Sequence, residues 1–323
     1  MISNNLPQEL QQAIAQLQYG QQPKELYEPI SYLMQLGGKR LRPLLCLLAY
    51  KMWQPNYQSM MLPAIAVEVF HNFTLMHDDI MDDAPLRRGN PTVHEKWNTN
   101  IAILSGDVML VKAYELLLNV PLQHLPEALR LFNKCATEVC EGQQLDMNFE
   151  KEAQITQAQY IEMIKLKTAV LLGFSLQLGA LAAGTSVQNQ EALREFGTLI
   201  GIGFQLKDDL LDVYGESAKF GKFVGGDIVA NKKTFLLIEA LQRATPQQKA
   251  TLEHWIGLGD FDKAEKVKAV TSVFDEIGIK QLTENEIAHY FEKGMQSLAK
   301  VEVVEDLKAD LKQFAQLLME RES

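Results

Sequence analysis

The chain has 323 residues and a formal net charge of −10, with 47% hydrophobic and 22% charged residues. That apolar fraction is ample for a substantial core and excludes wholesale disorder. The negative balance argues against a nucleic-acid binder, which needs a net basic face, so any anionic ligand has to be held by local basic clusters or by metal ions. Three cysteines, Cys46, Cys135 and Cys140, stand at no metal-ligand spacing and predict a reduced, cytoplasmic setting.

The opening stretch MISNNLPQELQQ has neither the basic n-region nor the apolar h-region of a signal peptide, so none is expected. Helical periodicity then prevails and strand alternation is nearly absent, which predicts an all-α chain. Breaks fall at Pro55, at 84–91, at Pro121, Pro126 and Gly184, and in the Gly/Lys-rich 215–227. None is long or biased enough for an interdomain linker, and a single helical domain over 1–323 is expected.

In chain order, LGGKRLRP at 36–43 gathers Lys39, Arg40 and Arg42 in a turn that enters a helix. Residues 64–81 form an amphipathic helix that runs into MHDDIMDDAPLRRG at 76–89. At roughly 100° per residue, Asp78 and Asp82 point the same way, with Asp79 beside them. Like charges at this spacing repel, and a helix C-terminus already carries partial negative charge. Hard oxygen ligands in such a place suit Mg, which prefers one or two carboxylates plus waters and substrate phosphates. The plainer alternative is a solvated acidic helix end. Arg87 and Arg88 follow at once, and planar guanidinium groups suit phosphate oxygens.

Residues 101–119 and 128–147 are again helical in period. The longest apolar tract, AVLLGFSLQLGALAAG at 169–184, is shorter than the roughly 20 residues of a spanning helix and contains Ser175 and Gln177, so no membrane span is expected. EALREFGTLIGIGFQLKDDLLDVYG then repeats the acidic spacing at Asp208, Asp209 and Asp212, again at a helix end, with Lys222 and Lys232 beyond. Repetition weakens the case for accident. The remainder, about 246–323, is charged and amphipathic and reads as helices closing a bundle.

Two DDxxD motifs, GGKRLRP, LRRGNPTVH, GQQLD at 142–146, KLKTAVL at 165–171 and GFQLKDDLLDVYG at 203–215 together resemble the trans-isoprenyl diphosphate synthases, in the family's order over about residues 30–240. The resemblance implies a large all-α bundle around a deep central cavity, the isoprenoid synthase type I fold, usually as a homodimer. It implies head-to-tail (1′-4) condensation of isopentenyl diphosphate with an allylic diphosphate. Mg2+, three ions per active site, would be held by Asp78 and Asp82 at the first motif and by Asp208 at the second, with Asp209 and Asp212 supporting; Asp79 belongs to the catalytic set. The allylic diphosphate would be helped by Arg87, Lys167, Lys222 and Lys232. Isopentenyl diphosphate would sit against Lys39, Arg42, His71 and Arg88. Thr168 and Gln205 match positions lining the allylic site, where their oxygens stabilise positive charge on carbon.

Such residue types fit the chemistry, because a carbon–oxygen bond ionises slowly unless the leaving diphosphate's charge is neutralised where it develops. His77 and His94 read as structural, and Gln143 and Asp146 as helix ties or site residues. The growing chain would run down from Asp78, and Thr74 and Phe73 lie about 6–8 Å below it at 1.5 Å per residue. With Phe73 as floor beside the small Thr74, a twenty-carbon product is expected, geranylgeranyl diphosphate, with fifteen carbons as the alternative; a floor set from another helix is also open.

A terpene cyclase would lack the GGKRLRP cluster needed for a second diphosphate, and a metal phosphohydrolase would need more histidines at ligand spacing. A non-catalytic partner subunit would tend to lose one aspartate motif, and this chain keeps both. The C-terminal ERES departs from the basic tail of some farnesyl synthases.

Overall fold

The computed structural model describes residues 5–215 and 224–320. They are helical nearly throughout, as the periodicity predicts, and the two short strands lie within the break at 84–91. Contacts divide the chain into two compact units.

The first unit takes in residues 1–136, 171–195 and 298–313. Its helices include α1 (Leu6–Gln16), α2 (Lys24–Gln35), α3 (Leu41–Lys51), α4 (Met61–Met81), α5 (Val93–Lys96) and α6 (Thr99–Leu117). α4 packs chiefly on α6 and also on α3, and α2 packs on α6. The core here holds Phe70, Phe132 and Phe174, with Phe132 edge-on to Phe70 at 5.0 Å between centroids. α4 begins earlier than residue 64, because Pro63 falls in its first turn, where the missing N–H has no intrahelical partner to lose. Beyond α4 the chain forms a hairpin, β1 (Leu86–Arg87) against β2 (Asn90–Pro91), antiparallel with Arg87 opposite Asn90. Its central residues Arg88 and Gly89 have φ of 53° and 75°, the positive pair that a type I′ turn requires.

The second unit takes in residues 137–170, 196–297 and 314–323. Here α8 (Gln157–Ile164) starts at a capping box, Thr156 with Gln159, and runs into a π-helical turn at Lys165–Ala169. Helix Phe235–Arg243 packs on α8 and on helix Lys263–Ile277, which also receives helices Gly226–Val229 and Pro246–Gly257. Helices α7 (Leu125–Lys151), α9 (Val170–Ala182) and α10 (Val187–Tyr214) complete the set used below.

Two helical stretches are long and apolar enough to cross a membrane by length and composition, Gln58–Met81 and Gln157–Ala182. In each, most of the apolar window is buried inside the protein, 67% and 78%, so a core role accounts for the composition.

Candidate active site

At the first motif, Asp78 and Asp79 occupy the last turn of α4, and the Asp82 amide donates to the Asp78 carbonyl at 2.9 Å as the helix ends. The helical rotation separates the carboxylates. Asp79 is 2% exposed and turned inward, whereas Asp82 is exposed and Asp78 partly so. Arg87 grips the inner one, its Nε donating to Asp79 Oδ1 and Oδ2 at 3.0 and 3.3 Å, and its Nη2 lies 3.7 Å from Asp78 Oδ2. Burial pushes the Asp79 carboxyl up, and the Arg87 hydrogen bonds oppose that rise.

The hairpin turn sends Arg88 the other way, to donate through Nη1 to the Gly37 carbonyl. Gly38, at φ +135°, makes room: a Cβ there would stand 3.0 Å from Arg88 Nη2. Lys39 is exposed in the same turn, and Arg40 follows in the left-handed region at φ 47°. Arg40 is consumed by the core, donating to Glu68 Oε1 at 2.6 Å and to the Met34 carbonyl, while Asn72 also donates to Glu68. Arg42 instead donates from Nη1 to His71 Nε2 at 3.1 Å. An acceptor at Nε2 means a neutral ring with its proton on Nδ1. Consistent with that, burial, then the guanidinium groups of Arg42, Arg88, Arg87 and Arg40, hold His71 well below the usual histidine range. Arg42 and His71 are thus brought together, and Arg88 is tied to the turn that carries Lys39.

Lower on α4, Phe73 packs edge-on against His77 at 4.8 Å and tilted against Phe70 at 5.7 Å, and Thr74 donates to the His71 carbonyl at 2.8 Å. His77 Nε2 donates to the Ile103 carbonyl at 3.1 Å, a structural bond.

In the second unit, the π turn presents Lys167 and Thr168. Gly142 of α7 permits the close approach, since a Cβ there would stand 2.2 Å from the Lys167 amide nitrogen. Lys167 Nζ donates to Asp146 Oδ2 at 2.6 Å, and Thr168 Oγ1 donates to Gln205 Oε1 at 3.3 Å. The chain of bonds goes on, Gln205 Nε2 donating to Asp209 Oδ1 at 3.1 Å and the Tyr160 hydroxyl donating to Asp209 Oδ2.

Asp209 is therefore 5% exposed with both oxygens engaged inside the protein, while Asp208 and Asp212 are partly exposed. Burial pushes the Asp209 carboxyl up to about 8, the Asp227 carboxylate adds to the rise, and the bonds from Tyr160 and Gln205 oppose it. Asp212 Oδ2 accepts the Asp227 amide at 2.9 Å. Lys232 Nζ lies 3.9 Å from Asp227 Oδ1. Lys266, almost fully buried, donates to the Val229 carbonyl and to Asn231 Oδ1, which fastens this turn. Lys222 lies outside the described residues, as do 321–323 of the C-terminal tail.

Sequence reasoning missed Tyr160, Asp227 and Lys266. Tyr160 stands two helical turns before Lys167, a spacing that any core tyrosine shares; Asp227 closes a Gly/Lys-rich break, and Lys266 sits in the mixed-charge run DKAEKVK, where nothing distinguishes it from its solvated neighbours.

The polyprenyl synthetase family model matches residues 23–274. The chain belongs to the polyprenyl synthetase family. It is 39% identical over 309 residues to a geranylgeranyl diphosphate synthase of Methanosarcina mazei, an alignment covering 93% of this chain and 91% of that protein. A crystal structure of a geranylgeranyl pyrophosphate synthase superposes with a TM-score of 0.92 at 40% identity, covering 100% of this chain and 98% of the other. A geranylgeranyl pyrophosphate synthase from Corynebacterium glutamicum, solved with isoprenyl diphosphate and magnesium, superposes with a TM-score of 0.87 at 29% identity, covering 98% and 99%. This polyprenyl synthetase has the all-α isoprenoid synthase fold, and it is a prenyltransferase.

Proposed function

We propose that this prenyltransferase condenses isopentenyl diphosphate head-to-tail with allylic diphosphates to give a short-chain trans-prenyl diphosphate, geranylgeranyl diphosphate. The observation that carries the reading is the cationic pair Arg42 and Arg88, with neutral His71 against Arg42 and Lys39 nearby, in a unit whose aspartate motif has its own arginine. A chain with net charge −10 keeps such a cluster for an anion of its own, and a cyclase has no second diphosphate to bind.

The donor sets fit magnesium. All are carboxylate oxygens, hard ligands on exposed or partly exposed side chains: Asp78 and Asp82 would hold it at the first motif, Asp208 and Asp212 at the second with Asp209 beside them. Three ions per active site, held by these residues, would supply positive charge against the diphosphate as its carbon–oxygen bond ionises. Arg87, oriented by Asp79, is assigned to the allylic diphosphate as fixed positive charge, and so is Lys167, oriented by Asp146, with Lys222 and Lys232 as further cations. Lys39, Arg42 and Arg88 bind the isopentenyl diphosphate, and neutral His71 fixes the Arg42 guanidinium through its Nε2 lone pair. Thr168 and Gln205 hold each other, so their oxygens keep one orientation toward a carbocation.

Phe73, backed by Phe70 and His77, sets the floor for the growing chain. The family match runs unbroken over residues 23–274, through segments of both compact units, and a solved geranylgeranyl pyrophosphate synthase covers 100% of the chain, which together support one catalytic domain. Ile103, Leu104 and Val111 on α6 are exposed apolar side chains, which supports a homodimer. Reduced cysteines, and apolar helices whose windows are mostly buried, support a cytoplasmic protein with no membrane span.

The test is product length, from purified protein with Mg2+, labelled isopentenyl diphosphate and dimethylallyl, geranyl or farnesyl diphosphate, with Phe73→Ala alongside. A twenty-carbon product that lengthens in the variant supports the assignment. A fifteen-carbon product moves the floor up, and no elongation with any allylic starter overturns the catalytic reading in favour of a partner subunit.

A further inference from the structure

Away from the proposed magnesium ligands, another set of donors comes together among the described residues. Asp83, just past α4, and His94 and Glu95 of α5 offer ligand atoms that all lie within 4.8 Å of one another. Two exposed carboxylates alone would signify little. The histidine changes the argument. Its side chain is 7% exposed, and neither Nδ1 nor Nε2 has a hydrogen-bond partner. Glu95 Oε1 stands 3.7 Å from Nε2, beyond hydrogen-bond range.

A buried imidazole whose two nitrogens both lack partners is rare, and an ion is one of the few things that accounts for it. We propose that Asp83, His94 and Glu95 form a site for a first-row divalent transition cation of the Mn2+, Co2+ or Zn2+ class, distinct from the magnesium carboxylates. One neutral imidazole and two carboxylates balance a divalent charge, and an imidazole nitrogen favours these ions over Mg2+, which takes oxygen. Metal–ligand bonds of about 2.0–2.2 Å place donors roughly 3–4 Å apart. The two exposed carboxylates therefore need only a rotamer change to close on the fixed histidine.

The position gives such an ion a purpose. Asp83 precedes the β1–β2 hairpin and His94 follows it, and the hairpin carries Arg87 and Arg88. A cation bridging the two ends fastens the segment that presents both guanidinium groups. Transition-metal availability would then tune how firmly the arginines are held, independently of the ions on the aspartate motifs.

The experiment uses the whole protein in excess Mg2+, which occupies the aspartate motifs, with Mn2+ as probe. Pulsed EPR reads nitrogen coupling to the ion, and hydrogen exchange reads the amides of 84–92. The expected result is one nitrogen-coupled Mn2+ per chain, with exchange across the hairpin slowed at least tenfold by the ion. Both signals are lost in His94→Gln, and Mn2+ binding weakens at least tenfold in Asp83→Asn/Glu95→Gln. The double variant alters exposed side chains and keeps the test valid if His94→Gln does not fold. Absence of nitrogen coupling, Mn2+ binding in the double variant as tight as in the wild type, or coupling lost in His77→Gln and retained in His94→Gln, would each overturn the proposal.

Discussion

Removing a single hydroxyl tests whether the second motif is aligned from inside. In Tyr160→Phe the ring stays and only the donor to Asp209 Oδ2 disappears. Asp209 is 5% exposed, so water cannot readily replace that donor. A buried acceptor left without its partner costs about 1–3 kcal/mol. For a chain of 323 residues, with an unfolding entropy of about 2.1 cal/mol/K per residue, each such kcal/mol lowers Tm by about 1.5 °C. The catalytic consequence travels along the bonds: Asp209 is released on one side, its hold on Gln205 Nε2 loosens, and Gln205 Oε1 no longer meets Thr168 in one geometry. If that alignment supplies about 1–2 kcal/mol to the transition state, kcat falls roughly five- to thirtyfold. KM for isopentenyl diphosphate should stay within about twofold, because its proposed ligands Lys39, Arg42, His71 and Arg88 make none of these bonds. The assay pairs thermal melting with steady-state rates in saturating allylic substrate. A lowered Tm with unchanged kcat would make Tyr160 a fold residue only, and no change in either would refute the network.

Three further outcomes follow from the same structure. Gly142→Ala forces a methyl to within 2.2 Å of backbone at Lys167, so the π turn must shift; single-turnover rates should drop at least about tenfold, with about 1–3 kcal/mol lost in urea unfolding. Glu68→Leu strands the buried Arg40 charge and should cost about 3–5 kcal/mol by the same unfolding assay, whereas Glu68→Leu with Arg40→Met should recover most of it. His71 stays neutral in the fold below the pH at which the unfolded chain protonates it, so its burial leaves stability intact above about pH 6.5 and erodes it as pH falls, by at most about 1.4 kcal/mol per pH unit. Wild type should therefore lose more stability between neutral and acid pH than His71→Gln, and parallel pH profiles would disprove the neutral assignment.

What the sequence made visible was whatever depends on helical spacing alone. Asp78 and Asp82, and Asp208 and Asp212, share a face because they are four residues apart, and the structure keeps them on exposed or partly exposed positions. The hairpin at 86–91 was hidden because its turn places an arginine at the first positive-φ position, where Asn, Asp or Gly would have announced it. The π turn at Lys165–Ala169 was hidden for a different reason. Nothing in KLKTA disfavours an ordinary α-helix, and the partner that accommodates the turn, Gly142, comes from another helix. Arg40 and Arg42 look equivalent in GGKRLRP, and only the fold reveals that Glu68 takes one while the other reaches His71.

The two DDxxD motifs solve one geometric problem with different chemistry. A step of roughly 100° per residue turns the second aspartate of each away from the outer pair and into the protein. An inward carboxylate needs a donor there, because a buried and unpaired charge is costly. The first motif supplies a cation, Arg87, whose other neighbours are Asp78 and Asp82, and burial is outweighed so that Arg87 is held more firmly charged. Its inner aspartate thus aims a positive group at the outer carboxylates. The second motif supplies neutral donors, Tyr160 and Gln205, and its inner aspartate aims an amide oxygen at Thr168 instead. Binding an anion calls for the first arrangement, and facing a carbocation calls for the second, since a fixed cation beside a developing positive charge would oppose ionisation. The inner aspartates therefore act as orienting groups, one for charge and one for a dipole, while the outer ones stay exposed or partly exposed, open to the magnesium proposed for them.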